Sequence, residues 1–133
     1  MFSHVTVGCH DLDRAVAFYD AVLTPLGLVQ RPVKPKPDGS PRGACWQVPG
    51  KAQPLFFVFF PFDEGPASAG NGNMVAVTAP SRAAVDAAHA AGLENGGSDE
   101  GAPGPRPNYA PDYYGAYLRD PDGNKVHVVC RAV

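Results

Sequence analysis

Adding 70 to a position in the first half of the chain lands on a counterpart in the second: His4 on Met74, Val5 on Val75, Val7 on Val77, Ala17 on Ala87, Phe57 on His127 and Val58 on Val128. One offset serves both ends of the unit, so the chain reads as a duplicated module rather than as unrelated halves. At 133 residues it has the length of one domain. Two copies of a small unit must therefore share that domain.

Each copy carries the same order of periodicities. Val5 and Val7 alternate with His4 and Thr6, which predicts a short strand with one apolar and one mixed face. From Asp11 the period lengthens: Leu12, Ala15, Val16, Tyr19, Val22 and Leu23 recur at helical spacing, with Asp11 the expected N-cap and Asp13 placed for the helix dipole. Asp13 and Arg14 fall on its exposed face, and Pro25 and Gly27 end the run. Strands are expected around Leu28 to Arg31, Ala44 to Val48 and Pro54 to Phe60, between segments rich in turn formers.

The second copy opens with the strand "MVAV" and a helix over "SRAAVDAAHAAGL", Ser81 near its start and Gly92 at its C-cap. His89 on that helix is expected at the surface without a partner. "YYGAYLRD" and "KVHVVC" are strands flanking a "DPDGN" turn. Before them, "GSDEGAPGPRPNYAPDYYG" is too rich in Pro and Gly to predict regular structure. Its Arg106 and Tyr109 read either as a pocket lid or as a solvated loop.

Strand alternation assigns faces. His4 and Thr6 share one side of the first strand, and His127 shares a side with Lys125 and Val129, while Val5, Val7, Val126, Val128 and Cys130 pack under the helices. If the modules pair by pseudo-twofold symmetry, positions 4, 57, 74 and 127 are related places lining one concave surface. With Thr6, Trp46, Phe59, Tyr113 and Tyr117 they define a candidate pocket that is mostly apolar and aromatic, suited to a small organic molecule. For each of those aromatics, a place in the core is an equally good reading.

The order βαβββ-βαβββ, the opening "HVTVGCHDLDRAVAFYDAVL", the helix "PSRAAVDAAHAAGL" and above all "GAPGPRPNYAPDYYGAYLRDPDGNKVHVVC" resemble the vicinal oxygen chelate superfamily, the group of glyoxalase I, bleomycin-resistance proteins and extradiol dioxygenases. The resemblance implies an α+β fold of two tandem βαβββ modules, about 1–62 and 73–133 joined by about 63–72, whose curved mixed sheets form a cavity. It also implies a homodimer as partner state. In metal-using members, four strand positions hold one divalent metal ion; carried over, they are His4, Phe57, Met74 and His127. Only His4 and His127 offer a nitrogen donor, and a catalytic ion generally needs three protein ligands. The alternatives are an organic-ligand site whose polar contacts are these two histidines, a metal-dependent lyase, isomerase or dioxygenase using them as ligands, and a non-catalytic interaction protein.

Composition bounds the partners. Eleven Lys and Arg against 13 Asp and Glu, a formal net charge of −2, supply no basic run, so nucleic acid is not expected. No apolar run approaches the roughly 20 residues of a membrane span, and "MFSHVTV" lacks a signal-peptide pattern, so a cytoplasmic protein is expected. Cys9, Cys45 and Cys130 are odd in number and unclustered, which predicts buried free thiols.

Overall fold

The computed structural model describes residues 1–132. Strand β1 (His4–Gly8), helix α1 (Leu12–Leu23) and strands β2 (Val29–Arg31), β3 (Gly43–Gln47) and β4 (Leu55–Phe59) form the first half. Strand β5 (Val75–Thr78), helix α2 (Arg82–Glu94) and strands β6 (Ser98–Pro105), β7 (Tyr114–Arg119) and β8 (Lys125–Cys130) form the second. Each half builds a four-stranded mixed sheet, in the orders β1-β4-β3-β2 and β5-β8-β7-β6. In each, the first and last strands of the unit pair in parallel and the remaining pairs are antiparallel.

The offset of 70 proves to be an offset of register. Val5 faces Phe56, Thr6 faces Phe57 and Val7 faces Val58; Val75 faces Val126, Ala76 faces His127 and Val77 faces Val128. Every partner in the second set is the first moved by 70, so the duplicated pattern specifies which residues lie side by side.

Capping fixes both helix starts. The Asp11 carboxylate accepts from the Arg14 amide at 3.1 Å, and the Ser81 hydroxyl accepts from the Ala84 amide at 3.1 Å. The buried stripe of α1 is Ala15, Phe18, Tyr19, Val22 and Leu23; that of α2 includes Val85, Ala88 and Gly92. The two stripes meet, and one continuous core joins them to Trp46, Phe56 and Val58 of the first sheet and Ala116, Leu118, Val126 and Val128 of the second. Each sheet thus spends one face on this shared core and leaves its other face outside it.

Three expectations are corrected here. Gly92 is not the cap of α2: the helix runs on to Glu94 and the chain reverses at Gly96, whose φ of +92° suits glycine. Gly92 lies inside the helix, where a Cβ would come within 2.9 Å of Leu118 Cδ1 and Val22 Cγ2, so its smallness lets α1 and α2 approach. The Pro- and Gly-rich segment holds a strand, β6, in its first half; it is the edge of its sheet, with register shifts between Asp99 and Gly101 and between Gly101 and Gly104. An edge strand with bulges tolerates prolines that a central strand would reject. His89 is buried, with Nε2 2.9 Å from the Asp99 carboxylate of that same strand.

The "DPDGN" turn ties the halves together. Asp120 is buried, and its Oδ1 accepts from the amides of Asp122 and Asn124 at 2.8 and 2.9 Å. Its Oδ2 accepts from the Tyr19 hydroxyl at 2.6 Å and from Asn124 Nδ2 at 2.8 Å. Asn124 Nδ2 also donates to the Gly8 carbonyl at 2.9 Å, and Asp122 meets the amide and ring of His10 at 2.9 and 2.8 Å. A turn of the second half is therefore anchored on β1 and α1 of the first.

Candidate functional site

His127 lies at the centre of β8 on the face turned away from the helices, and it is sealed there, with 1% of its surface exposed. Its ring stacks on Tyr117 with centroids 4.0 Å apart and planes 10° apart, and on Tyr113 at 5.7 Å and 13°. Gly115 on the neighbouring strand makes room, since a Cβ there would come within 2.5 Å of His127 Cε1. Both ring nitrogens are engaged. Nδ1 is 2.9 Å from the Ala116 carbonyl, which can only accept, so Nδ1 carries the proton; Nε2 then accepts from the Tyr113 hydroxyl at 2.7 Å. Burial, the largest cause, depresses the pKa of His127, and the charges of Arg106, Arg131 and Lys125 add to it against the opposing hydrogen bond to Ala116.

His4 stands in a different environment. It is exposed on β1, its Nδ1 3.0 Å from the Ser3 hydroxyl and its ring edge-on to Phe57 at 5.5 Å. Phe57 and Phe59 lie on the same outer face of the first sheet, ring centroids 4.9 Å apart and planes tilted by 47°. Trp46 lies on the opposite face of that sheet: it is buried against Tyr19 and Phe56 and donates from Nε1 to Asp20 at 2.8 Å. The odd-even alternation of β3 sends Trp46 inward and Cys45 outward, which corrects its assignment to a pocket.

Two cavities touch three of the nominated residues, Thr6, Phe59 and Met74, and neither reaches Phe57, Tyr113 or Tyr117. One of about 830 Å³ lies over the end of the first sheet, lined by Thr6, Gly8 and Phe59 and by the loops that carry Lys36, Arg42 and Phe62. Another of about 360 Å³ sits where β1 and β5 approach, lined by Thr6, Met74, Asn124 and Lys125 among others. Thr6 belongs to both. Neither cavity is lined by His4 or His127, so within one chain the two histidines do not share a hollow.

The same geometry tests the divalent ion. His127 Nε2 has its lone pair occupied by the Tyr113 hydroxyl, Phe57 offers no donor, and Met74 offers only a soft thioether. Among the described residues no three His, Cys, Asp or Glu side chains converge. The residues present in one chain do not fit a metal of this kind.

The family model of the glyoxalase/bleomycin resistance protein/dioxygenase superfamily matches residues 1–128. The chain belongs to this superfamily. A solved glyoxalase/bleomycin resistance protein from Albidiferax ferrireducens T118 is 39% identical, with 98% of each chain covered and a TM-score of 0.82. A glyoxalase-related enzyme from Fulvimarina pelagi is similar at 16% identity, covering 98% of this chain and 87% of that one, with a TM-score of 0.71. A lactoylglutathione lyase from Agrobacterium tumefaciens is similar at 23% identity, covering 98% and 92%, with a TM-score of 0.62. A search of curated proteins returned no match.

Two features escaped sequence reasoning. The loops at Lys36 and Arg42 reach the larger cavity only through the course of the chain in space, and no spacing signals them. The cations around Tyr117 were half visible, because alternation puts Lys125 on the face of His127, whereas Arg106 arrives from just past the end of a bulged edge strand.

Proposed function

We propose that this superfamily member binds a small organic molecule against the outer faces of its sheets, with Thr6 at the centre of the site. The observation that carries this is that Thr6 lines both the 830 Å³ cavity over Phe59 and the 360 Å³ cavity beside Met74, in a volume range usual for ligand sites. His4 and Phe57 lie beside Thr6 on the outer side of the first sheet, and Tyr117 lies on that of the second, over the sealed His127. The chain acts as one domain of two modules, 1–62 and 73–133 joined by 63–72, in a cytoplasmic homodimer. Two features are consistent with the second copy: His4, Thr6, Met74, Ala76 and Thr78 are exposed on the outer faces, and the sheets do not close on each other within one chain. No helix among the described residues is long and apolar enough to cross a membrane.

The test is a thermal-shift screen of small organic compounds on the wild type and on Thr6→Trp, whose indole would occupy both cavities. A hit at 100 times its Kd stabilises the fold by about 2.7 kcal/mol. The proposal expects hits that vanish in Thr6→Trp while the unliganded midpoint is unchanged, since Thr6 is exposed. Hits that persist in the variant would refute it. Metal analysis of protein purified without chelator or affinity tag, with His4→Ala and His127→Ala as controls, tests the metal-dependent alternative. Stoichiometric metal lost in both variants would favour that enzyme, and sedimentation analysis reads the dimer.

A further inference from the structure

The outer face of the second sheet gathers positive charge over aromatic rings. The guanidinium of Arg106 lies 5.7 Å and the ammonium of Lys125 5.2 Å from the centre of the Tyr117 ring, and the guanidinium of Arg131 lies 4.8 Å from that of Tyr113. Tyr117 stacks on His127 and Tyr113 meets its Nε2 edge with a nearly parallel ring, so three cations lie around one cluster of three rings. Among the described residues no carboxylate pairs with them. The ion pairs among the described residues are His10–Asp122, His89–Asp99 and Arg119–Glu100, although the chain as a whole carries more acidic than basic residues. Like charges held together without counterions raise the free energy of the site, and ring quadrupoles offset only about 0.5–1 kcal/mol per exposed cation.

The cations are also held in place. Arg106 is half-buried, donating from Nη2 to the Ala102 carbonyl at 2.8 Å and from Nη1 to the Pro105 carbonyl at 3.3 Å. Of its five N–H donors this leaves others directed elsewhere. Lys125 lines the 360 Å³ cavity beside Thr6 and Met74, which joins the charged face to the site proposed above. The depressed pKa of His127 keeps that imidazole neutral, so the positive charge lies on the rim.

We propose that this face recognises the oxyanion, carboxylate or phosphate, of a small aromatic molecule: Arg106, Lys125 and Arg131 receive the charge, and the half-buried Tyr117 meets the flat body. The assignment rests on the small-molecule reading and adds the chemical class of the ligand. A charged oxygen paired with a guanidinium or ammonium forms stronger hydrogen bonds than a neutral one, whereas stacking is blind to charge. The anion and its neutral isostere therefore separate the two contributions.

The experiment is an NMR titration of the whole protein with benzoate, phenyl phosphate, benzamide and inorganic phosphate, following amide resonances of β7 and β8. Benzoate or phenyl phosphate is expected to bind about tenfold tighter than benzamide, equivalent to about 1.4 kcal/mol, and to weaken with rising salt. Arg106→Gln and Lys125→Gln should each remove most of that preference, so that benzoate binds scarcely tighter than benzamide to either variant. Equal binding of benzoate and benzamide overturns the anion assignment and leaves the small-molecule reading standing. Inorganic phosphate binding as tightly as phenyl phosphate overturns the role of the rings. No binding by any probe overturns both readings.

Discussion

Replacing Tyr19 by Phe removes one hydroxyl from the clasp between the halves and nothing else. That hydroxyl donates to Asp120 Oδ2 at 2.6 Å, with Tyr19 1% and Asp120 4% exposed, so no water substitutes for it in the native state. A hydrogen bond to a charged group is worth about 1.5–3 kcal/mol. Asp120 keeps three donors, from Asp122, Asn124 and the Asn124 side chain, and Phe brings no unsatisfied polar atom. The loss therefore belongs near the middle of that range, about 2 kcal/mol, or roughly 6–10 °C of midpoint for a domain of this size. Asp120→Ala should cost more, about 4 kcal/mol, because it orphans a buried tyrosine hydroxyl and two amides at once. Urea unfolding followed by the fluorescence of buried Trp46 measures both, with an unchanged m-value as the check on two-state behaviour. A Tyr19→Phe variant within about 0.5 kcal/mol of wild type would refute the reasoning.

Other outcomes follow from the same geometry. Gly115→Ala drives a methyl to within 2.5 Å of His127 Cε1, and because stacking and two hydrogen bonds hold that ring, a loss of about 1–3 kcal/mol is expected in the same urea assay. His127 has a folded-state pKa below its usual 6.5, so the unfolded chain binds the proton first. Its contribution to stability is complete above about pH 6.5 and declines as pH falls below it, by at most about 1.4 kcal/mol per pH unit, and His127→Gln should flatten that part of a midpoint-versus-pH curve. Burial pushes the Cys9 thiol up to about 11 and raises Cys45, and all three thiols are buried. A thiol reagent at neutral pH should titrate none in the native protein and three after denaturation. A thiol that reacts at once in the folded state would contradict the placement.

The internal repeat and the hydrophobic periods were enough to place both helices, every strand but β6, and the faces of β1 and β8. Strand alternation and helical spacing are local, so they survive in the linear text: Val5, Val7, Val126 and Val128 declare their side by period alone. Edges and close contacts are not local. That β6 tolerates its prolines depends on having a neighbour on one side only, and that Gly92 belongs inside α2 depends on Leu118 and Val22 arriving from other elements. His89 found Asp99, and Trp46 turned to Asp20, for the same reason. The functional face shows the division most sharply. Sequence places His127 on a strand face shared with Lys125, but only the folded structure sets Tyr117 opposite it and the Tyr113 hydroxyl on its Nε2 and separates it from His4. A histidine's chemistry is fixed by what occupies its nitrogens, and those occupants come from distant parts of the chain.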